Sequence, residues 1–189
     1  MRNFIKIGVL ACAISSFALA EGAFIGAEGG YVFKSKISGG EESVKDSVPS
    51  IGIKGGYAWD EARAYVQYNH VFEAKKIFVD DDGSTETGKW SNNEFLVGAD
   101  LTPAINDSVK FVLGGYSGIS VLNVKADDGK DNFKGWLIGA KAGAIVSISD
   151  NLEFEGGLKA DKTFGYKVED DIKLKQTKYG AYAGVNFKF

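Results

Sequence analysis

Taking every second residue of the last twelve, KYGAYAGVNFKF, puts Tyr179, Ala181, Ala183, Val185, Phe187 and Phe189 on one face and Gly180, Tyr182, Gly184, Asn186 and Lys188 on the other. A period of two is that of a strand. The pattern runs to Phe189, so the final residue is expected in a sheet rather than loose in water. Seven earlier segments alternate in the same way, at 23–33, 50–59, 62–74, 91–101, 109–121, 135–148 and 152–163. Each is about ten to fourteen residues long, the length a tilted strand needs to cross a bilayer.

The connections alternate as well. They are long after the first, third, fifth and seventh segments and short after the second, fourth and sixth, where the chain reads DE, TPAINDS and SDN. Short turns on one side and long loops on the other are the layout of an outer-membrane barrel, with periplasmic turns and extracellular loops. An even strand count puts both termini on the short-turn side. Pro103 sits in a short turn and Pro49 just before a strand, where a missing N–H costs least.

Alternation alone does not say which face is wet, because a soluble lipocalin-like barrel alternates too, with its apolar side chains inside. The polar face carries Glu28, Lys54, Arg63, Gln67, Glu94, Asp100, Lys110, Lys141, Glu155, Lys159 and Lys188, interleaved with Gly26, Gly30, Gly52, Gly98, Gly114, Gly139, Gly143 and Gly184. A solvated face has no use for so many glycines. The crowded inside of an eight-strand barrel does. The other face, with Ile53, Val66, Phe95, Val97, Leu113, Ile138, Leu158 and Val185, would then meet lipid, and Tyr57, Trp59, Phe187 and Phe189 would form an aromatic girdle on the short-turn side.

Composition agrees with a sheet: 25 glycines and 24 aromatic residues against two prolines and one methionine. The first twenty residues, MRNFIKIGVLACAISSFALA, carry Arg2 and Lys6, then an apolar run, then Ala18-Leu19-Ala20. They read as a signal peptide cleaved after Ala20, leaving 21–189 as one domain. A competing reading makes Cys12 the acylated residue of a lipoprotein signal. With cleavage after Ala20 the single cysteine is discarded, so no disulfide and no cysteine metal site are expected. The remaining chain has 20 basic and 25 acidic residues, a formal charge of −5, which argues against nucleic acid as a partner.

Three stretches resemble a known group, the small eight-stranded outer-membrane barrels that include the OmpA transmembrane domain, the OmpX/Ail proteins and the opacity-type "porin family" barrels. GAFIGAEGGYVF is similar to their opening strand and SIGIKGGYAWDEARAYVQYNH to their aromatic-rich hairpin. Tyr182-x-Gly184-x-x-Phe187-x-Phe189 resembles the terminal signal read by the outer-membrane assembly machinery. The resemblance implies an all-β, antiparallel up-and-down transmembrane barrel in the outer membrane, with outer-membrane lipids, lipopolysaccharide and surface ligands as partners. A peptidoglycan-binding domain of the OmpA type is not expected after Phe189.

An eight-strand lumen is just wide enough to be filled by its own side chains. Glu28, Lys54, Arg63, Asp100, Lys110 and Lys141 are therefore expected to pair as a structural charge network, because buried charges need partners. His70 is the only histidine. The resemblance implies a His-x-Ser pair in barrel deacylases, and His70-Val71-Phe72 lacks it. Palmitoyltransferase barrels combine His, Asp and Ser near the outer leaflet, and 80–84 supplies Asp and Ser without fixing their geometry. Asp80–Asp82 and Asp127–Asp128 lack EF-hand spacing and read as solvated turns. Lys75, Lys76, Lys173 and Lys175 could touch lipopolysaccharide phosphates. The reading is a non-enzymatic, monomeric surface barrel without cofactor or metal; the alternatives are a narrow porin-like channel and a barrel lipid A-modifying enzyme.

Overall fold

The computed structural model describes residues 22–38, 45–79, 85–126, 129–169 and 172–189. The expected signal segment, the acids at 80–82 and 127–128, and the side chains of Lys75, Lys76 and Lys173 lie outside what is described. The described residues form eight long strands and one short one: β1 (Ala23–Ser38), β2 (Lys45–Ala58), β3 (Ala62–Val79), β4 (Thr85–Leu101), β5 (Ala104–Asn106), β6 (Val109–Ala126), β7 (Gly129–Ser147), β8 (Leu152–Glu169) and β9 (Ile172–Lys188). Consecutive long strands pair antiparallel, β4 pairs with β6 across the short β5, and β9 returns to pair with β1. The sheet is closed and has no edge. The Phe189 N–H donates to the Ala23 carbonyl at 2.9 Å, which holds the last residue of the pattern against the first strand.

The register fixes the tilt. Paired residues run from Ala62 through Leu101, Leu113, Ala142, Leu158, Ala181 and Tyr31 to Pro49. Pro49 lies ten residues (59 − 49) from Trp59, whose N–H bonds the Ala62 carbonyl. A stagger of that size corresponds to strands inclined about 40° to the barrel axis.

Two expectations about the connections are corrected. The strands run further toward the long-loop side than apolar alternation indicates: β3 continues to Val79 opposite Thr85, and β6 to Ala126 opposite Gly129. Polar residues continue the ladder because main-chain hydrogen bonds do not require an apolar face, so hairpins replace most of the expected loops. The expected seven-residue turn at 102–108 holds β5, which pairs with Val109 and Lys110. There Asn106 Oδ1 accepts from the N–H groups of Ser108 (3.0 Å) and Val109 (2.9 Å), an Asx turn that starts β6.

Outward positions form an apolar band, in which Ile53, Val66 and Leu158 each expose more than 60% of their surface. Tyr57 packs 5.0 Å from Trp59, and Phe187 5.3 Å from Phe189, on the short-turn side. A second aromatic ring, absent from the sequence-based expectation, comprises Tyr31, Phe33, Phe72, Trp136, Phe164 and Tyr179 on the far side. From Phe154 to Phe164 along β8 is about 33 Å of strand, or roughly 25 Å in height at this tilt, the height of the apolar band of outer-membrane barrels. Inward positions are polar and glycine-rich, with an apolar cluster of Leu96, Tyr116 and Leu137.

Candidate functional site

The lumen is the part of the molecule where chemistry-bearing side chains converge. One register row carries Arg63, Asp100, Gly114, Lys141 and Lys159 on β3, β4, β6, β7 and β8. Gly114 makes room for its neighbour, since a Cβ there would collide with the Asp100 carboxylate. Lys141 and Lys159 stand directly opposite, an arrangement that repels. They turn to different carboxylates: Lys141 Nζ lies 3.0 Å from Asp100 and 3.3 Å from Glu155, and Lys159 Nζ donates to Glu28 at 2.8 Å.

Glu155 of β8 is the hub, fully buried. It accepts from Lys54 Nζ (2.6 Å), Arg63 Nη2 (2.6 Å), Lys141 Nζ (3.3 Å) and Asn186 Nδ2 (3.1 Å). Arg63 Nε donates to Asp100 at 2.6 Å, and Lys54 lies 3.8 Å from Glu28. Lys141 also sits over the Tyr65 ring, 4.6 Å from its centroid. Four cations thus share three carboxylates.

Nearer the long-loop side a second cluster has the opposite imbalance. Lys178 pairs with Glu94 and lies 3.3 Å from Asp161, which accepts from Tyr116 Oη at 3.3 Å. One cation serves two carboxylates there, so the two clusters together balance. Above them Asn92 Nδ2 donates to Ser120, Tyr166 and Gln176 at 3.1, 3.2 and 3.0 Å, and Gln176 Nε2 donates to Ser35 at 3.0 Å. Two cavities of about 10 Å³ remain between these layers, lined in part by Asn92 and Gln176 and by Glu94 and Asp161. Each has room for about one water.

Of the six residues named from sequence for a charge network, the structure brings together Glu28, Lys54, Arg63, Asp100 and Lys141. Lys110 is corrected. It starts β6 beside the short turn, below the charged layer, and its Nζ donates to the Asp60 carbonyl at 3.3 Å. Sequence reasoning placed Glu94, Glu155 and Lys159 on the inward face but not in the network, and missed Asp161 and Lys178. Alternation gives the face of each residue; only register gives its height. Tyr182 and Gly184 point inward, whereas Phe187 and Phe189 point outward. His70 is on the outward face, its Nδ1 2.8 Å from Asn93 Oδ1, which also accepts from Tyr68 Oη at 2.8 Å. Among the described residues no group of three or more His, Cys, Asp and Glu could hold a metal ion.

No family model matches the chain, and no curated protein matches it by sequence. Solved structures do match in fold. Neisserial surface protein A is similar over 89% of this chain and 97% of its own, at 18% identity and a TM-score of 0.62. Outer membrane protein H of P. aeruginosa is similar over 90% of this chain and 100% of its own, at 22% identity and a TM-score of 0.56. The N-terminal β-barrel domain of Pseudomonas aeruginosa OprF is similar over 89% of this chain and 98% of its own, at 12% identity and a TM-score of 0.54. The chain has the fold of the small eight-stranded outer-membrane barrels that its sequence resembles.

Proposed function

We propose that the protein is an integral outer-membrane barrel of a Gram-negative envelope, with a structural and surface-presenting role rather than a catalytic or conducting one. The observation that carries this reading is the contrast between its two faces: an apolar outside bounded by two aromatic rings, and a lumen filled by paired charges. Gly22 and Phe189, the two ends of the described barrel, lie on the short-turn side, which the proposal assigns to the periplasm, and the four longer hairpins face outward as the contact surface for adhesion or other ligands. A filled lumen favours a plug over a channel. Against a lipid-modifying enzyme, His70 shares Asn93 with Tyr68, and no acid or nucleophilic hydroxyl is found bonded to it among the described residues.

The test is migration of the membrane-extracted protein on a gel, unboiled against boiled. A faster unboiled band in the outer-membrane fraction, lost on boiling, is the expected result. An unshifted band in the soluble periplasmic fraction would contradict it and point to a lipocalin-like carrier. The enzymatic alternative predicts altered lipid A acylation on overexpression, lost in His70→Ala; an unchanged lipid A mass spectrum is expected.

A further inference from the structure

On the outward face, polar side chains meet where β3 and β4 run side by side. His70 stands directly opposite Asn93 in register, with Tyr68 two residues nearer the middle of the apolar band. Asn93 Oδ1 lies 2.8 Å from both Tyr68 Oη and His70 Nδ1. A carboxamide oxygen only accepts, so Nδ1 carries the imidazole proton, Nε2 is left as an acceptor, and Asn93 Nδ2 is left as a donor. With the carboxamide turned over the roles exchange, Nε2–H donating and Oδ1 accepting. One donor and one acceptor stand side by side in either case, and among the described residues no side chain or main-chain group bonds them.

Ring contacts hold the group in place. The His70 ring is 5.1 Å from that of Phe72, edge-on at 85°, and the Tyr68 ring is 5.1 Å from that of Phe95. Phe72 belongs to the second aromatic ring, so His70 is on the lipid side of it, where water is scarce. Outward Ser117 solves the same problem within the chain, donating to the Leu137 carbonyl at 2.8 Å. The His70 and Asn93 pair keeps its donor and acceptor facing out.

A donor beside an acceptor is self-complementary. Two copies in one membrane share their orientation, so the axis relating them is a two-fold along the membrane normal. Such an axis passing between His70 and Asn93 sets His70 of each copy against Asn93 of the other. On adjacent strands inclined about 40°, the two residues differ in height by about 3 Å, within the reach of their side chains. Below them Ile53, opposite Tyr68 in register, and Val66, opposite Gly55, expose 61% and 63% of their surface. A Cβ at Gly55 would meet nothing nearer than the Phe24 carbonyl oxygen at 3.7 Å. The fold itself does not call for glycine there, and the notch can take the Ile53 side chain of a second copy.

We propose that the protein forms a two-fold symmetric dimer through the outward face of β2, β3 and β4, joined by reciprocal hydrogen bonds between His70 and Asn93, in place of the monomer expected from sequence. The proposal rests on the membrane reading above. Polar side chains join membrane-spanning elements because apolar contact with another chain gains little over contact with lipid. A lipid ester carbonyl satisfies the donor alone, whereas a second copy satisfies donor and acceptor together.

The test is disulfide cross-linking of the full chain in native outer membranes and after transfer to phosphatidylcholine vesicles, with Cys12, the only cysteine, changed to Ser. Ile53→Cys lies beside the axis, and Leu158→Cys, exposed on β8, lies on the far side of the barrel. A mild oxidant is expected to give a disulfide dimer from the first and not from the second, in both membranes. Adding His70→Leu and Asn93→Leu to Ile53→Cys should weaken association about tenfold, read from the dimer yield as lipid is added. Exchanging the pair, His70→Asn with Asn93→His, keeps a donor beside an acceptor and should retain the yield. Equal yields from the two cysteines would mean chance collision and overturn the proposal, as would a yield that the two leucines leave unchanged. No disulfide in either membrane would overturn it as well, leaving the pair to lipid or water. Each variant is checked for its heat shift; an unshifted protein in the soluble fraction would mean that the membrane reading, rather than the dimer, has failed.

Discussion

Leu158 and Lys159 are neighbours on β8 and make opposite demands on their surroundings. Leu158 exposes 62% of its surface on the outside of the barrel and asks only that what touches it be apolar. Lys159 faces inward to one oxygen of Glu28 at 2.8 Å and needs a partner at a particular place. The same contrast holds along every long strand. The outside is specified by class of solvent, so many apolar residues serve at each position; the inside is specified by geometry, so single atoms matter.

The largest effect expected from this contrast follows removal of the hub. Glu155→Ala leaves Lys54, Arg63 and Lys141 with one carboxylate fewer among them, and unfolding by urea in lipid vesicles should show a loss of about 3–5 kcal/mol. A charge placed on the outer face should cost nearly as much. Val97→Arg, near the middle of the apolar band, is expected to lose about 2–4 kcal/mol in the same assay, while Val97→Leu should be almost neutral.

A pair of glycine substitutions sharpens the comparison. A Cβ at inward Gly98 would lie 2.5 Å from the Tyr65 ring, whereas at outward Gly29 its nearest neighbour is the Ala183 carbonyl oxygen at 3.9 Å. Gly98→Ala should destabilise by about 1–3 kcal/mol through overpacking. Gly29→Ala should be neutral or stabilise by up to about 1 kcal/mol, because alanine gives up less backbone freedom on folding than glycine does. The smallest effect belongs to Lys188→Ala: its ion pair with Glu153, 3.3 Å long at the open end of the barrel, is partly solvated and is worth less than about 1 kcal/mol.

The fold was legible because its information is local. Alternation from Tyr179 to Phe189 gave a strand and its faces, and the short turns beside long connections gave the order. What was not legible depends on register. Glu155 could be assigned to the lumen from its place between Phe154 and Gly156, but its four partners come from β2, β3, β7 and β9, and no local pattern ranks it above Lys110. The extent of the strands was hidden for a related reason. Beyond the aromatic ring, Lys34 and Thr177 carry no apolar signal, yet the ladder continues through them. The second aromatic ring was missed because its members belong to five different strands and are level only after the tilt is known.

Conductance of the purified barrel in a planar lipid bilayer tests most directly the claim that the outer face meets lipid while paired charges close the lumen. The account predicts that the wild-type protein, inserted in heat-modifiable form, passes no current steps of steady size. Removing the centre of the plug with Arg63→Ala and Glu155→Ala together should raise the leak. Wild-type steps of uniform amplitude, unchanged by those substitutions, would contradict it.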